Sequence, residues 1–179
     1  MFELLFPFFL IVLFILVLTI IWRNNARKYI STSTVASAYD AWTKDKLLER
    51  LWGEHIHLGF YPSKKKNIDF RKAKVQFVHE LVKWSGLDKL PRGSRILDVG
   101  CGIGGSSRIL AEYYGFNVTG ITISPAQVKR ARELTPHGLN CNFQVMDALD
   151  LKFEDGSFDA VWSVEAGAHM NDKTKFADE

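Results

Sequence analysis

The stretch "DVGCGIGG", residues 98–105, constrains the fold more than any other part of the chain. Gly100, Gly102 and Gly105 stand at the spacing G-x-G-x-x-G, with Gly104 between the last two. The apolar run "RILDV" leads directly into them and the helix-like "SSRILAEYY" follows. A strand that enters a glycine turn and leaves as a helix presents backbone N–H groups and a helix N-terminus to a ligand. The rhythm then repeats. "NVTGITI" (117–123), "CNFQVM" (141–146) and "FDAVWSV" (158–164) are short apolar runs, and "PAQVKRARELT" (125–135) has helical period. Strands alternating with helices argue for an α/β fold with a parallel sheet and crossover helices. The four strand signals fall short of the roughly five to seven of a doubly wound nucleotide domain. The chain stops at "NDKTKFADE", so the expected sheet is incomplete.

What precedes the sheet differs in character. Residues 4–22, "LLFPFFLIVLFILVLTIIW", carry no charge. Nineteen residues at helical rise reach about 28 Å, close to the hydrocarbon thickness of a bilayer. Glu3 is the sole early charge and no small-x-small cleavage site follows, which argues against a removed leader. A transmembrane anchor over residues 1–28 is therefore expected. Its flank, Arg23, Arg27 and Lys28, keeps the body on the cytoplasmic or stromal face. A linker and helical lobe over 29–90 come next. Residues 35–51 suit one helix with Ala38, Trp42, Leu47, Leu48 and Leu51 on its apolar face. Residues 52–67 break the pattern as a loop, and 69–85 return to helical period through Val75, Val78, Leu81, Val82 and Trp84. The sheet domain occupies 91–179.

Charge and cysteine content exclude several classes. The chain has 23 Lys and Arg against 20 Asp and Glu, too mild a surplus for nucleic-acid binding. A local cluster, Lys64, Lys65, Lys66, Arg71, Lys72 and Lys74, suits either anionic lipid or a solvated face. Cys101 and Cys141 have neither metal spacing nor a disulfide framework, and a reducing compartment fits them.

The residues around the glycine turn select the ligand. A carboxylate at Asp98 repels pyrophosphate but suits a cationic ligand without phosphate, as S-adenosylmethionine is. The acidic residue that holds a ribose in dinucleotide enzymes is missing, because the tip of "VTGITIS" offers Thr122 and Ser124 instead. Gln127 can reach back to replace it, or face solvent. In "MDAL" Asp147 can accept from an adenine amino group while the Ala148 backbone meets a ring nitrogen. The candidate donor contacts are thus Asp98, Gly100, Cys101, Gly102, Gly104, Gly105, Thr122, Ile123, Gln127, Asp147, Ala148 and Ser163.

With "VASAYDAWT", "WGEHIHLGFY", "ILDVGCGIGGSSRILAEYYGFNVTGITISPAQVKRA" and "DGSFDAVWSVEAGAHM", the chain resembles the tocopherol methyltransferase group of class I S-adenosylmethionine-dependent methyltransferases from about residue 34 onward. The resemblance implies a Rossmann-like sheet of order 3-2-1-4, preceded by the transmembrane helix and the helical lobe. It implies S-adenosylmethionine as methyl donor and a lipophilic prenylated benzoquinol as acceptor, at a cyanobacterial or plastid-type membrane. It also supports Thr122 and Gln127 at the ribose end, as in cyclopropane fatty acid synthases. Methylating a ring carbon is helped by a base that takes a ring-hydroxyl proton. Glu165 and His169, just past the fourth strand, are the candidates, with His55 in the loop that also holds Glu54 and His57. His169 as a helix cap and His57 as a core residue are the plain alternatives. The spacing of these groups matches no metal-ligand set.

Overall fold

The computed structural model describes residues 11–20, 32–62 and 67–179, in two compact units, Met1–Ile30 and Ser31–Glu179. In the first unit residues 11–20 form helix α1 with every side chain exposed. Among the described residues no helix is long and apolar enough to cross a membrane. The expected anchor, 4–22, runs past the described residues at both ends.

In the second unit the elements run α2 (Thr32–Lys44), α3 (Leu47–Trp52), α4 (Phe70–Ser85), β1 (Arg95–Val99), α5 (Gly105–Tyr114), β2 (Asn117–Thr122), α6 (Pro125–Leu134), β3 (Cys141–Val145), β4 (Ala160–Trp162) and α7 (Lys173–Asp178). The four strands are parallel in the order β3-β2-β1-β4. That is the order expected for the first half of a class I methyltransferase sheet. The expected fourth strand, 158–164, shrinks to three residues. It pairs only with β1, and Val161 remains 64 % exposed.

The period of two in β1 decides which side chains meet which helices. Ile96 joins Val118, Trp162, Leu110, Phe116, Val78 and Val82 in the core under α4 and α5. Leu97 and Val99 point to the other face, with Ile121, Ala148 and the half-buried Met146, Phe153 and Phe158. Each side chain buried fully in this way contributes about 1.5–3 kcal/mol. Asp98 has the parity of Ile96, so its carboxylate lies under α5, buried inside the protein.

Two features of the helical lobe differ from expectation. The helix expected over 35–51 is two helices, because the Lys46 amide bonds back to Thr43 O at 3.2 Å and Lys46 itself turns left-handed (φ 52°). The rotation takes Leu47 and Leu51 off the apolar face, and both are more than half exposed. Trp84, placed on the buried face of the next helix, is 84 % exposed at its last turn. That helix starts where Asp69 accepts from the amides of Arg71 (2.8 Å) and Lys72 (3.1 Å), and stops at the left-handed Gly86.

Candidate active site

Parallel strands place all their carboxyl ends on one edge of the sheet, and the site is built there. At the end of β1 the amides of Gly100 and Cys101 both donate to Ile121 O, at 2.9 and 3.0 Å, which draws the glycine turn against the tip of β2. Gly102 is left-handed (φ 57°), and a Cβ added to it meets nothing within 4 Å. The turn therefore has an open side that a ligand can approach. Gly105, by contrast, is covered: an added Cβ lies 2.7 Å from Glu54 O and 2.8 Å from the His55 ring. Cys101 is buried with Val128, Ala131 and Phe143, and burial pushes its thiol well above the usual range. Asp98, 2 % exposed, accepts from the Ser107 hydroxyl at 2.5 Å. Burial pushes its carboxyl up to about 7, against the opposing pull of the Ser107 bond.

The tip of β2 is a network of short side chains. Thr122 Oγ1 donates to Gln127 Oε1 at 2.7 Å, so Gln127 does reach back from α6 as its spacing allowed. Ser124 caps α6 by accepting from the Gln127 amide at 3.1 Å. Its hydroxyl donates in turn to Asp40 Oδ1 of α2 at 2.5 Å, and the Ala126 amide donates to the same oxygen at 3.2 Å. Ile123, half-buried, lies between these groups in sequence. Beyond β3, Asp147 Oδ1 accepts from the Leu149 amide at 2.9 Å, and Ala148 is buried against Ile121.

At the end of β4 the Ser163 hydroxyl donates to Val99 O at 3.2 Å, which ties this segment to β1. Glu165 follows in the left-handed region (φ 57°), a conformation that costs a non-glycine residue about 1–2 kcal/mol. Its Oε1 accepts from the Leu58 amide at 3.0 Å. His169, in a short 3₁₀ turn, lies 2.9 Å through Nε2 from the Tyr39 hydroxyl, with the two rings edge to face at 5.6 Å. Residues 39 and 40 are thus neighbours in the chain that reach two different segments, the 3₁₀ turn at His169 and the start of α6.

The loop from 53 to 61 lies over the glycine turn. Arg108 of α5 donates to Glu54 at 2.6 Å and to Ile103 O at 2.8 Å. Lys74 donates to His55 O at 2.7 Å and Trp52 O at 3.1 Å. Lys74 belongs to the cluster expected to meet either anionic lipid or solvent, but it is only 4 % exposed, and burial lowers its pKa. Lys64, Lys65 and Lys66 of the same cluster lie outside the described residues. The histidines of the loop settle their own tautomers. His57 Nδ1 faces the Leu58 carbonyl at 2.7 Å, which only accepts, so Nδ1 carries the proton. Neutral His57 then accepts at Nε2 from His55 Nδ1, 3.1 Å away. Burial, then the proximity of His57, Arg108 and Lys74, pushes His55 down to about 3. At neutral pH burial keeps His55 uncharged within the loop. Tyr39 is half-buried and its partner His169 is exposed.

The residues fit a cationic nucleoside donor. Asp40, Asp147 and Glu165 stand at this edge with the buried carboxyl of Asp98 behind the turn, and the Arg108 guanidinium beneath the turn is paired with Glu54. No group of three or more His, Cys, Asp and Glu among the described residues could hold a metal. Tyr39, Asp40 and Arg108 were missed in the sequence. What singles each of them out is a contact with a distant segment, His169, Ser124 and Glu54 respectively, and no local spacing announces it.

Residues 96–179 match a family model described as a methyltransferase domain. The chain is 62 % identical over 155 residues to the 2-methyl-6-phytyl-1,4-hydroquinone methyltransferase of Synechocystis, covering 87 % of this chain and 49 % of that protein. It is 43 % identical over 143 residues to the chloroplastic tocopherol O-methyltransferase of Arabidopsis thaliana, covering 74 % and 41 %. A solved structure from Galdieria sulphuraria, assigned as a sarcosine dimethylglycine methyltransferase, matches with a TM-score of 0.68 at 29 % identity, over 75 % of this chain and 52 % of that one. The chain spans about half the length of the curated relatives it matches.

Proposed function

We propose that the chain is a methyltransferase carrying this domain on a class I α/β sheet, that it uses S-adenosylmethionine, and that it methylates a ring carbon of a prenylated benzoquinol of the 2-methyl-6-phytyl-1,4-benzoquinol type. The contact between Tyr39 and His169 carries the proposal, because it sets a hydroxyl and a ring nitrogen together beside the strand ends. Asp98, the glycine turn, Thr122, Gln127, Asp147 and Ala148 hold the donor, which supplies an electrophilic methyl group on a sulfonium. A ring hydroxyl of the quinol bonds to Tyr39 and passes its proton through the phenol to His169 Nε2. Electron density then rises at the ring carbon that attacks the methyl group, and that carbon afterwards sheds its own hydrogen as a proton. Glu165, fixed by the Leu58 amide, accepts from the second ring hydroxyl and holds the ring at near-attack distance. The loop 53–61 keeps water from the turn side.

An acceptor with a long apolar tail partitions into lipid, and the uncharged run 4–22 with its basic flank is the matching anchor. The body then works on the cytoplasmic or stromal face of the membrane. The test is transfer of a labelled methyl group by the chain in lipid vesicles, offered the phytyl benzoquinol and γ-tocopherol separately. Label in the quinol is expected. Label in γ-tocopherol alone reassigns the substrate, and binding of S-adenosylhomocysteine without any transfer leaves only a donor-binding module.

A further inference from the structure

Strand β2 ends without the carboxylate that a nucleoside ribose ordinarily meets at that position. The structure brings one there from another part of the chain. Asp40, on α2, lies against the β2–α6 turn, with Ser124 Oγ at 2.5 Å and the Ala126 amide at 3.2 Å. Both bonds go to Oδ1, and Oδ2 accepts no hydrogen bond among the described residues. Oδ1 helps Ser124 cap α6, taking the first-turn Ala126 amide while Ser124 takes that of Gln127, and this leaves Oδ2 as the oxygen that capping does not use. Gln127 is oriented as well: its Oε1 is taken by Thr122 Oγ1 at 2.7 Å, which leaves the amide N–H groups as the free end. A carboxylate oxygen and an amide donor stand within a few residues of each other at one strand tip. That is the complement of a vicinal diol, whose hydroxyls both donate and accept.

We propose that Asp40 is the ribose-binding carboxylate of this protein, accepting at Oδ2 from a ribose hydroxyl of the donor while Gln127 donates to the hydroxyl oxygens. The proposal rests on the reading of the site as one for S-adenosylmethionine, and it adds the source of the acid that β2 lacks. The ligand class it specifies is a ribonucleoside with a free diol. Because Asp40 belongs to α2 and Gln127 to α6, the ribose bridges the helical lobe and the sheet.

Calorimetry on the full chain with S-adenosylhomocysteine and with its 2′,3′-dideoxy analogue tests this. The wild type should bind the parent about 10–100-fold more tightly than the analogue, the range for hydrogen bonds to a charged group. Asp40→Asn should lose that discrimination: the parent weakens by about the same factor and the analogue hardly changes. If Asp40→Asn instead weakens both ligands equally, with a lower thermal midpoint, Asp40 is a structural brace and the proposal fails. Should the variant not fold, the wild type alone still decides, since equal affinity for the two ligands means that no residue reads the diol. A wild type that binds neither ligand overturns the donor reading itself, an outcome distinct from diol-blind binding.

Discussion

At the scale of single residues, the site turns on groups whose protonation the fold has moved or tied. Burial raises Asp98 from 3.8 to about 7, so the native state keeps a proton that the unfolded chain has already lost across that interval. Stability of the ligand-free protein therefore falls as pH rises from 3.8 to about 7 and stays low above it. Asp98→Asn removes the titration. Its thermal midpoint should exceed that of the wild type at pH 8 and lose the advantage at pH 5, and parallel curves for the two proteins would refute the raised pKa. A cationic donor reverses the preference, because it favours the ionised carboxylate. The same variant should then bind S-adenosylmethionine more weakly by about 1.5–3 kcal/mol at pH 8, and by clearly less at pH 6. Tyr39 supplies the second residue-scale test. Tyr39→Phe keeps the edge-to-face packing on Trp42 and His169, at 5.4 and 5.6 Å, and deletes only the hydroxyl. Turnover of the quinol should drop about 100-fold or more with KM little changed, the signature of a lost proton route. An unaltered kcat would remove the Tyr39–His169 pair from the chemistry.

At the scale of elements, the central question is what holds the loop 53–61 on the glycine turn. Three attachments converge there: Arg108 on Glu54, Lys74 on the carbonyls of Trp52 and His55, and Glu165 on the Leu58 amide. The closest is steric, because Gly105 has room for no Cβ between the turn and Glu54 O. Gly105→Ala must push backbone aside, and overpacking of that kind costs about 1–3 kcal/mol. Urea unfolding should show that loss, whereas unchanged stability would mean that the loop rests on the turn without being locked to it. This packing also explains how far the sequence could be followed. The β1–turn–α5 unit was legible because alternation, glycine spacing and helical period are all local, and Asp98 could be singled out within it. The strand order was implied by the family resemblance and by no local pattern. What could not be read was the lobe: the left-handed Lys46 divides one periodic stretch into two helices, and nothing in "WTKDKLL" marks the break. Tyr39 and Asp40 escaped notice for a related reason. On α2 Tyr39 reads as one more aromatic packed on Trp42 and Asp40 as a polar neighbour, and their value appears only when Ser124 and His169 arrive from residues 84 and 130 positions later.

At the scale of the whole molecule, the sheet is finished on one side and open on the other. β3 has α6 beside it, with Arg132 of that helix donating to Phe143 O at 2.5 Å. β4 pairs with β1 alone among the described residues, and its outer edge carries no strand. The exposed Val161 at its centre leaves an apolar edge, and burial of Trp162 beside it leaves the indole Nε1 without a hydrogen-bond partner. On the face of Leu97 and Val99 the cover consists of half-buried side chains, Leu151, Phe153, Phe158, Met170 and Phe176, drawn from loops and the short α7. An edge with unpaired backbone groups and an apolar side chain recruits further strands, and proteins ordinarily blunt such edges with charge. The chain spans about half the length of the curated relatives it matches. For residues 1–179 by themselves the expectation is association through β4. Size exclusion in detergent should show oligomers that grow with concentration, and Val161→Lys should return them toward monomer without touching the donor site on the opposite ends of β1 and β2. A wild-type chain that stays monomeric at every concentration, with Val161→Lys indistinguishable from it, would mean that the edge is protected in solution by segments outside the described residues.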